Sequence, residues 1–590
     1  MAVSFLLMAG SMRFDSATYD EPNHIARGFE FLRGETRLAP HNPPLSEFLF
    51  ALGAELATHP VYPIDTVYLR EITEDNSRGQ GDLFLFASGN DADSVLFWAR
   101  VPVIVLSIAV GTMIFLFAAP KFGTPTALIA TVLYAFSPTI IAHSRYATTD
   151  IGATAGFLAG ILSYLALLQR PSWTRTILAG IALGTALLMK YSTLLLLVLC
   201  PVFLIERLIV TSSGPHKRAK GEISRLIART LAMEVIGLIV VWCVSACFLI
   251  NFPIDEQITR TQILLKNCTA PGWFIHLVTL ATGLPFIRPL GEYMLGIAIA
   301  YGIFAHGEAH YVYFMGTTSE TVSHWYFPVL YLMKEPIAAH LLAIIAVIAG
   351  AGVILRTRRC GPLISSGWAQ EHFAEIAMAT FVAIYWLMAL RSNLMIGLRH
   401  VLPTLPFIYI LVARGMSAWI DSAPPQKNAS SYDPRRPLQL AHSMRRVIVG
   451  ALLAWIAAES ILIYPHYLSY YNELAGGPWA GHWYASESNY DWGQDYRRFA
   501  GFVHKNKIDR ISVAAFEAAS LRYYLGDAFV PWKLSSGKPR GWFAISTTER
   551  DRALARYPGR NEPYPKRFNW LRYEAPIQRI GYTFWLYKFP

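Results

Sequence analysis

The sequence predicts a mainly α, polytopic membrane protein with about eleven transmembrane helices, long outer loops carrying interfacial helices, and a small C-terminal α/β domain. Three observations carry that expectation. Of the 590 residues, 54% are hydrophobic and 15% charged, a balance too apolar for an ordinary soluble enzyme. Between residues 97 and 463, apolar runs recur at close to the ~20 residues that a helix needs to cross a bilayer. From residue 464 the texture becomes mixed polar and aromatic. The expected division is a transmembrane domain over 1–463 and a non-cytoplasmic α/β domain over 464–590.

Residues 2–12 are apolar but too short to span. No Lys or Arg precedes them, so they read as a shortened first span rather than a secretion signal. A long first outer loop, 13–96, follows; within it residues 45–56 have helical apolar spacing without the length to cross, which predicts a helix lying at the interface. The spans are then expected at 97–118, 124–141, 151–168, 176–189, 191–209, 230–250, 337–355, 373–390, 400–419 and 447–463. The two short runs beside Lys190 make one helix too long for the bilayer, which places a tight hairpin at Lys190-Tyr191-Ser192.

A second long outer loop, 251–336, holds two apolar pieces interrupted by Pro285, Arg288 and Pro289, a junction that suits interfacial or re-entrant helices or a membrane hairpin. Beyond residue 464 a helix is expected over 494–503 and strands over 511–516, 541–546 and 582–587.

Loop charge sets the orientation. Arg170 and Arg175, the cluster from Arg207 to Arg229 that includes Lys217 and Arg218, Arg356 to Arg359, and Lys427 to Arg446 all fall on one side, which the excess of cations marks as cytoplasmic. The same placement accounts for the net charge of +11 without nucleic acid, which is excluded as a partner. Five cysteines show no metal-ligand spacing. Asn267-Cys268-Thr269 and Asn428-Ala429-Ser430 match the glycosylation pattern.

The outer face then collects Asp20, Glu21, His41, His143, Arg145, Asp150, Lys190, Arg399 and His400. Adjacent acids split their pKa values and roles, so one of Asp20 and Glu21 suffices as a general base; the bland reading of the pair is acids in the first turn of a helix. Arg145 and Asp150 lie in a short turn between spans, where a cap and a snorkelling side chain are the ordinary alternative. Snorkelling is equally open for Lys190, and a guanidinium at Arg399 suits a phosphate. Two carboxylates do not define a metal site; a divalent cation at Asp20 and Asp150, with His41 or His143 near it, stays undecided. Glu459 is an acid inside the last span with no assigned role.

The Asp20-Glu21-Pro22 run, His41-Asn42-Pro43-Pro44-Leu45, the 143–150 turn, Gly397-Leu398-Arg399-His400 with Leu402-Pro403, and the runs 464–478 and 488–495 together resemble the protein O-mannosyltransferase-like branch of the membrane glycosyltransferases of GT-C fold, in its bacterial family 39-like subgroup. The resemblance reaches from residue 14 to about 500. It implies a GT-C fold and transfer of a sugar, mannose by the family's habit, from a polyprenyl-phosphate donor to an acceptor hydroxyl with inversion, at a membrane. By that match Asp20 and Glu21 are the catalytic acids, Arg145, Lys190, Arg399 and His400 hold the donor phosphate, and Asp150 assists. The membrane implied is the bacterial inner one, with the site and C-terminal domain on the periplasmic side. No β-trefoil insertion of the eukaryotic enzymes fits the second outer loop, so a protein acceptor and a glycan acceptor both stay open. So do two competing classes, a flippase of lipid-linked sugars and an inactive carbohydrate-binding membrane protein.

Overall fold

Among the described residues, five helices are long and apolar enough to cross a membrane: Ala92–Phe122, Asp150–Gln169, Tyr191–Thr211, Gly221–Cys247 and Leu398–Asp421. A sixth crossing is supplied if the bent pair Tyr326–Lys334 and Ile337–Gly352 counts as one, and five shorter apolar helices accompany them: Ala2–Met12, Thr124–Ala135, Trp173–Met189, Gly272–Gly283 and Phe373–Ala389. These are features of a computed structural model that describes residues 1–590 except 72–75, 213–219, 307–311, 320–322, 360–365, 423–434, 516–517, 533–536 and 557–569. Lys217, Arg218, Lys427 and the Asn428 sequon lie outside the described residues.

Asp150–Gln169 is the central helix. It is buried along most of its length and packs on Ala92–Phe122, Trp173–Met189, Leu195–Ser212 and the 3-10 turn Leu398–Thr404. The turns that carry Lys190 and Arg399 both pack near its start, at Asp150.

Three expected spans are built differently. The run 124–141 is broken at Phe136-Ser137-Pro138: the Ser137 hydroxyl accepts the Ile140 N–H at 3.2 Å and Pro138 opens a new short helix, Pro138–His143, without a backbone donor to lose. The run 337–355 does not begin from a loop. It follows Tyr326–Lys334, turning by 109° at Glu335-Pro336, where proline has no N–H to continue the ladder. Buried Lys334 anchors that turn by donating to the carbonyl oxygens of Leu468 (2.9 Å), Tyr470 (3.0 Å) and Asn489 (2.6 Å). Glu335 accepts from Ser137 and Tyr409 at 3.2 and 2.9 Å. The chain does turn at Lys190, in extended backbone, yet Trp173–Met189 packs chiefly on Asp150–Gln169 and Lys220–Cys247 instead of forming a hairpin with the next helix.

The first outer loop contributes Glu21–Leu32 and Pro44–Thr58, which pack on each other, and Pro44–Thr58 packs on Ala92–Phe122. Gly28 permits that approach, since a Cβ there would sit 2.0 Å from the carbonyl oxygen of Glu47. Glu47, fully buried, holds His24 Nδ1 at 2.9 Å and Arg27 Nε at 3.2 Å. The second loop folds as Ile254–Leu265, Gly272–Gly283 and Arg288–His306, followed by the antiparallel pair β1 (Val312–Phe314) and β2 (Thr317–Ser319).

Past residue 464, helix Tyr496–Lys505 covers a five-stranded sheet of β3 (Ile511–Ala514), β4 (Phe529–Pro531), β5 (Gly541–Ser546), β6 (Gln578–Ile580) and β7 (Phe584–Phe589), in the order β4-β3-β5-β7-β6. β3 runs parallel to β4 and β5, and β7 antiparallel to β5 and β6. Phe499 of the helix stacks on Phe584 at 4.4 Å between centroids.

Candidate active site

The helix Glu21–Leu32 begins at Asp20, and its first residue explains how the loop is held. Glu21 is fully buried, and its two oxygens receive five donors: Nε and Nη2 of Arg100, each at 2.7 Å, the Thr18 N–H (2.8 Å) and hydroxyl (3.0 Å), and the Ala147 N–H (2.8 Å). Arg100 also donates to the carbonyl oxygens of Met12, Asp15 and Ser16 at 3.1, 3.0 and 2.7 Å. No open oxygen remains on Glu21. Expected beside Asp20 as a catalytic acid, it has both oxygens engaged in fastening the loop.

Asp20 faces the other way. Its side chain keeps 24% of its surface, and its Oδ2 lies 2.7 Å from Nη1 of Arg399. The same Nη1 is 3.7 Å from Oδ2 of Asp150, whose Oδ1 meets Lys190 Nζ at 2.5 Å. Asp150, the first residue of the central helix, is 1% exposed as a side chain. Acids from the start of the chain and cations from its middle and late helices thus alternate in one chain of contacts: Asp20, Arg399, Asp150, Lys190. Burial alone would lift the Asp20 carboxyl; the Arg399 charge, aided by His24, more than reverses this and holds it below the usual 3.8. Asp20 is therefore an ionised carboxylate at neutral pH.

Arg399 is aimed by its surroundings. Its guanidinium lies over the Trp492 ring at 4.3 Å, and Trp492 packs edge-on against His143 and Tyr146. The preceding turn is clamped by the segment 488–489: the Leu398 N–H donates to Asn489 Oδ1 at 2.9 Å, the Ser488 hydroxyl donates to the Ile396 carbonyl, and a Cβ on Gly397 would fall 2.2 Å from Ser488 Oγ. His143 is buried without a hydrogen-bond partner at Nδ1; burial pushes its pKa down to about 3, and it is neutral. The Nε2 of His400 likewise lies buried without a partner, while the backbone carbonyl of His400 accepts the Tyr385 hydroxyl at 2.9 Å. His41 stands next to Asn42, whose side-chain oxygen accepts the Thr149 hydroxyl at 3.4 Å, one residue before Asp150.

Arg145, expected at the donor phosphate, is placed elsewhere. It is fully buried with Nη1 2.6 Å from Asp15 Oδ2, sandwiched by the Tyr146 and Tyr467 rings. Asp15 is shared with Arg498 at 2.7 Å and with the Tyr146 hydroxyl at 2.8 Å. Its charge is matched by Asp15, and the pair braces the loop that carries Asp20.

The beginning of the chain is also stitched to its end. The Ser16 N–H donates to the Gln494 carbonyl (3.1 Å), the Tyr19 N–H to the Trp492 carbonyl (3.0 Å), the Ser16 hydroxyl to the Gly493 carbonyl (2.6 Å), and the Tyr496 N–H back to the Ser16 hydroxyl (3.0 Å). Asp15, Arg100, Lys334 and Arg498 also shape the site and were not singled out from sequence, whereas Asn489 and Trp492 lie in the 488–495 run that carries the resemblance. Lys334 and Arg100 did carry a signal, as cations within or beside apolar runs.

A divalent cation between Asp20 and Asp150 does not fit this donor set. The Arg399 guanidinium and Lys190 ammonium occupy the positions between and beside the two carboxylates, and among the described residues no group of three His, Cys, Asp or Glu side chains is arranged to hold a metal.

Comparison with known proteins bears on the fold and on one stretch of the sequence. The family model described as dolichyl-phosphate-mannose-protein mannosyltransferase matches residues 90–221, the stretch that carries Asp150 and Lys190. The S. cerevisiae protein O-mannosyltransferase Pmt1-Pmt2 complex bound to the sugar donor is 12% identical, with 78% of this chain and 89% of that chain covered at a TM-score of 0.54. Looser superpositions are found with ArnT from Cupriavidus metallidurans in the apo state (13% identity, 99% and 96% covered, TM-score 0.31) and with the oligosaccharyltransferase AglB from Archaeoglobus fulgidus (9%, 92% and 68%, TM-score 0.45). No curated protein matches the sequence. The fold is that of the GT-C integral membrane glycosyltransferases. Within residues 90–221 the chain is similar to the protein mannosyltransferase family.

Proposed function

We propose that the chain is a glycosyltransferase that moves a sugar, mannose by the matched family's description, from a polyprenyl-phosphate donor to an acceptor hydroxyl on the non-cytoplasmic face of a bacterial inner membrane, with inversion. One observation carries the reading. Asp20 is the carboxylate of the cluster still reachable from outside, 24% exposed against 0–1% for Glu21, Asp15 and Asp150, and it is paired with an arginine suited to phosphate.

The charges support a coupled step. The donor phosphodiester carries one negative charge, and the departing polyprenyl phosphate gains a second. Asp20 takes the acceptor proton as the hydroxyl oxygen bonds to the anomeric carbon and the sugar–phosphate bond breaks. The negative charge that Asp20 loses matches the one that the phosphate gains, so Arg399, relieved of its carboxylate, turns to the leaving group without a net change in the pocket. Lys190 lies at the other end of the same chain of contacts and adds a second cation for the phosphate. Asp150 holds both cations in place, and Glu21 and Arg145 position the Asp20 loop.

The test is transfer from labelled polyprenyl-phosphate mannose by the purified chain in nanodiscs, with membrane extract as acceptor source. Asp20→Asn is expected to lower the rate by about 10²–10⁴, the usual worth of a general base, with donor binding retained. An unchanged rate would remove Asp20 from the chemistry, and movement of the donor across the membrane without transfer would favour a flippase.

A further inference from the structure

A hollow of about 400 Å³ opens where Ala2–Met12 ends, Ala92–Phe122 begins and Tyr496–Lys505 begins. It is lined by Arg13, Arg100, Arg497 and Arg498 against two acids, Asp15 and Asp93. The acids do not balance the cations. Asp15 is already shared by Arg145 and Arg498, Arg498 also pairs with Asp495, Asp93 lies 3.3 Å from Arg497 Nε, and Arg100 turns to Glu21 behind the wall, which leaves Arg13 without an acid. Arg497 keeps 44% of its side-chain surface, and its Nη1 donates to the Arg13 carbonyl at 2.7 Å. The Arg13 side chain is exposed and, among the described residues, makes no hydrogen bond or ion pair.

The rest of the lining is apolar: Met12, Phe14, which is 44% exposed, and Phe97. These belong to the ends of an apolar helix and of a membrane-crossing one, and Trp98 beside Phe97 is exposed, as aromatic side chains are at a bilayer boundary. A small hydrophilic anion has no use for the apolar wall, and a purely apolar chain has none for the unpaired Arg13 guanidinium and the half-exposed Arg497 beside it. An anion carried on a hydrocarbon chain uses both.

We propose that this hollow is a second lipid site, additional to the Asp20–Arg399 site, which takes the phosphate headgroup of an anionic amphiphile between Arg13 and Arg497 with its chain against Phe14 and Phe97. Because Arg498 and Asp15 join this wall to the Asp20 loop, an occupant here lies next to the loop without touching the reacting atoms.

The test uses the full chain in a zwitterionic detergent, titrated calorimetrically with dihexanoyl phosphatidic acid, dihexanoyl phosphatidylcholine and inorganic phosphate. Phosphatidic acid is expected to bind saturably and more tightly than either other probe, with affinity falling as salt rises. Arg13→Ala should weaken it about tenfold, the loss of one charge-assisted contact, and Arg399→Gln should leave it unchanged. Phe97→Ala should narrow the preference for the lipid over inorganic phosphate. Arg13, with no partner to lose, decides the matter even where Arg497→Ala disturbs folding. The proposal is overturned by an affinity unchanged in Arg13→Ala, by inorganic phosphate binding as tightly as the lipid, by absence of saturable binding, or by a loss confined to Arg399→Gln, which would assign the binding to the donor site.

Discussion

Replacing Glu21 by Gln separates fastening from chemistry at the paired acids. The carboxylate offers two acceptor oxygens to five donors; glutamine offers one and turns an NH₂ toward either the Ala147 N–H with Arg100 Nε, or the Thr18 donors with Arg100 Nη2. At least two hydrogen bonds become donor-to-donor contacts, and the buried Arg100 guanidinium loses its counter-charge. Breaking one side of a buried ion pair costs about 3–5 kcal/mol. For a polytopic protein this is read as kinetic stability, the half-life of monodisperse, active protein at a fixed elevated temperature. A marked shortening of that half-life is expected for Glu21→Gln, while the rate per surviving molecule at low temperature stays within about tenfold of the parent, well short of a general base's worth. The double variant Glu21→Gln/Arg100→Met should recover part of the lost lifetime, because it removes the orphaned charge as well. An inactive Glu21→Gln with an unaltered half-life would refute the reasoning and return Glu21 to the chemistry.

Two further outcomes are expected. The Asp20 carboxyl is held below its usual 3.8, so its stabilising contribution is present above that value and is lost as pH falls through the lowered one; the acid limb of transfer should therefore lie at pH 4 or below, and a limb near pH 6–7 in kcat/KM would identify a different base. Gly397→Ala drives a Cβ to within 2.2 Å of Ser488 Oγ and displaces Arg399 from Trp492, so transfer should fall at least tenfold and recover in part with Ser488→Gly, measured in the same assay.

Legibility in the sequence followed distance along the chain. The apolar runs announce the helices because a bilayer imposes a length, and Asp20, Asp150, Lys190 and Arg399 stand out because charge at an apolar boundary is costly enough to need a purpose. What a charge pairs with is a different question. The resemblance put Arg145 at the phosphate, but its guanidinium meets an acid remote in sequence, Asp15, at 2.6 Å. Glu21 stood beside Asp20 as an equal, and only the approach of Arg100 distinguishes them. The break at Ser137-Pro138 was readable as a cap followed by proline; a continuous apolar run masked it. Glu459, flagged as a costly acid in a span, accepts the Tyr470 hydroxyl, a partner that the sequence hides because it lies beyond the turn at residue 464.

The stitching of Ser16 and Tyr19 to the 492–496 segment bears on biosynthesis. Translation inserts the N-terminal helix first and reaches Trp492 last among the groups around Arg399, so a ribosome-bound intermediate lacks the brace that shapes the Asp20 loop. On the proposed assignment of Asp20 as base, the nascent chain stays silent until nearly five hundred residues have been made, and a truncation before Trp492 is expected to leave the helices inserted and transfer absent.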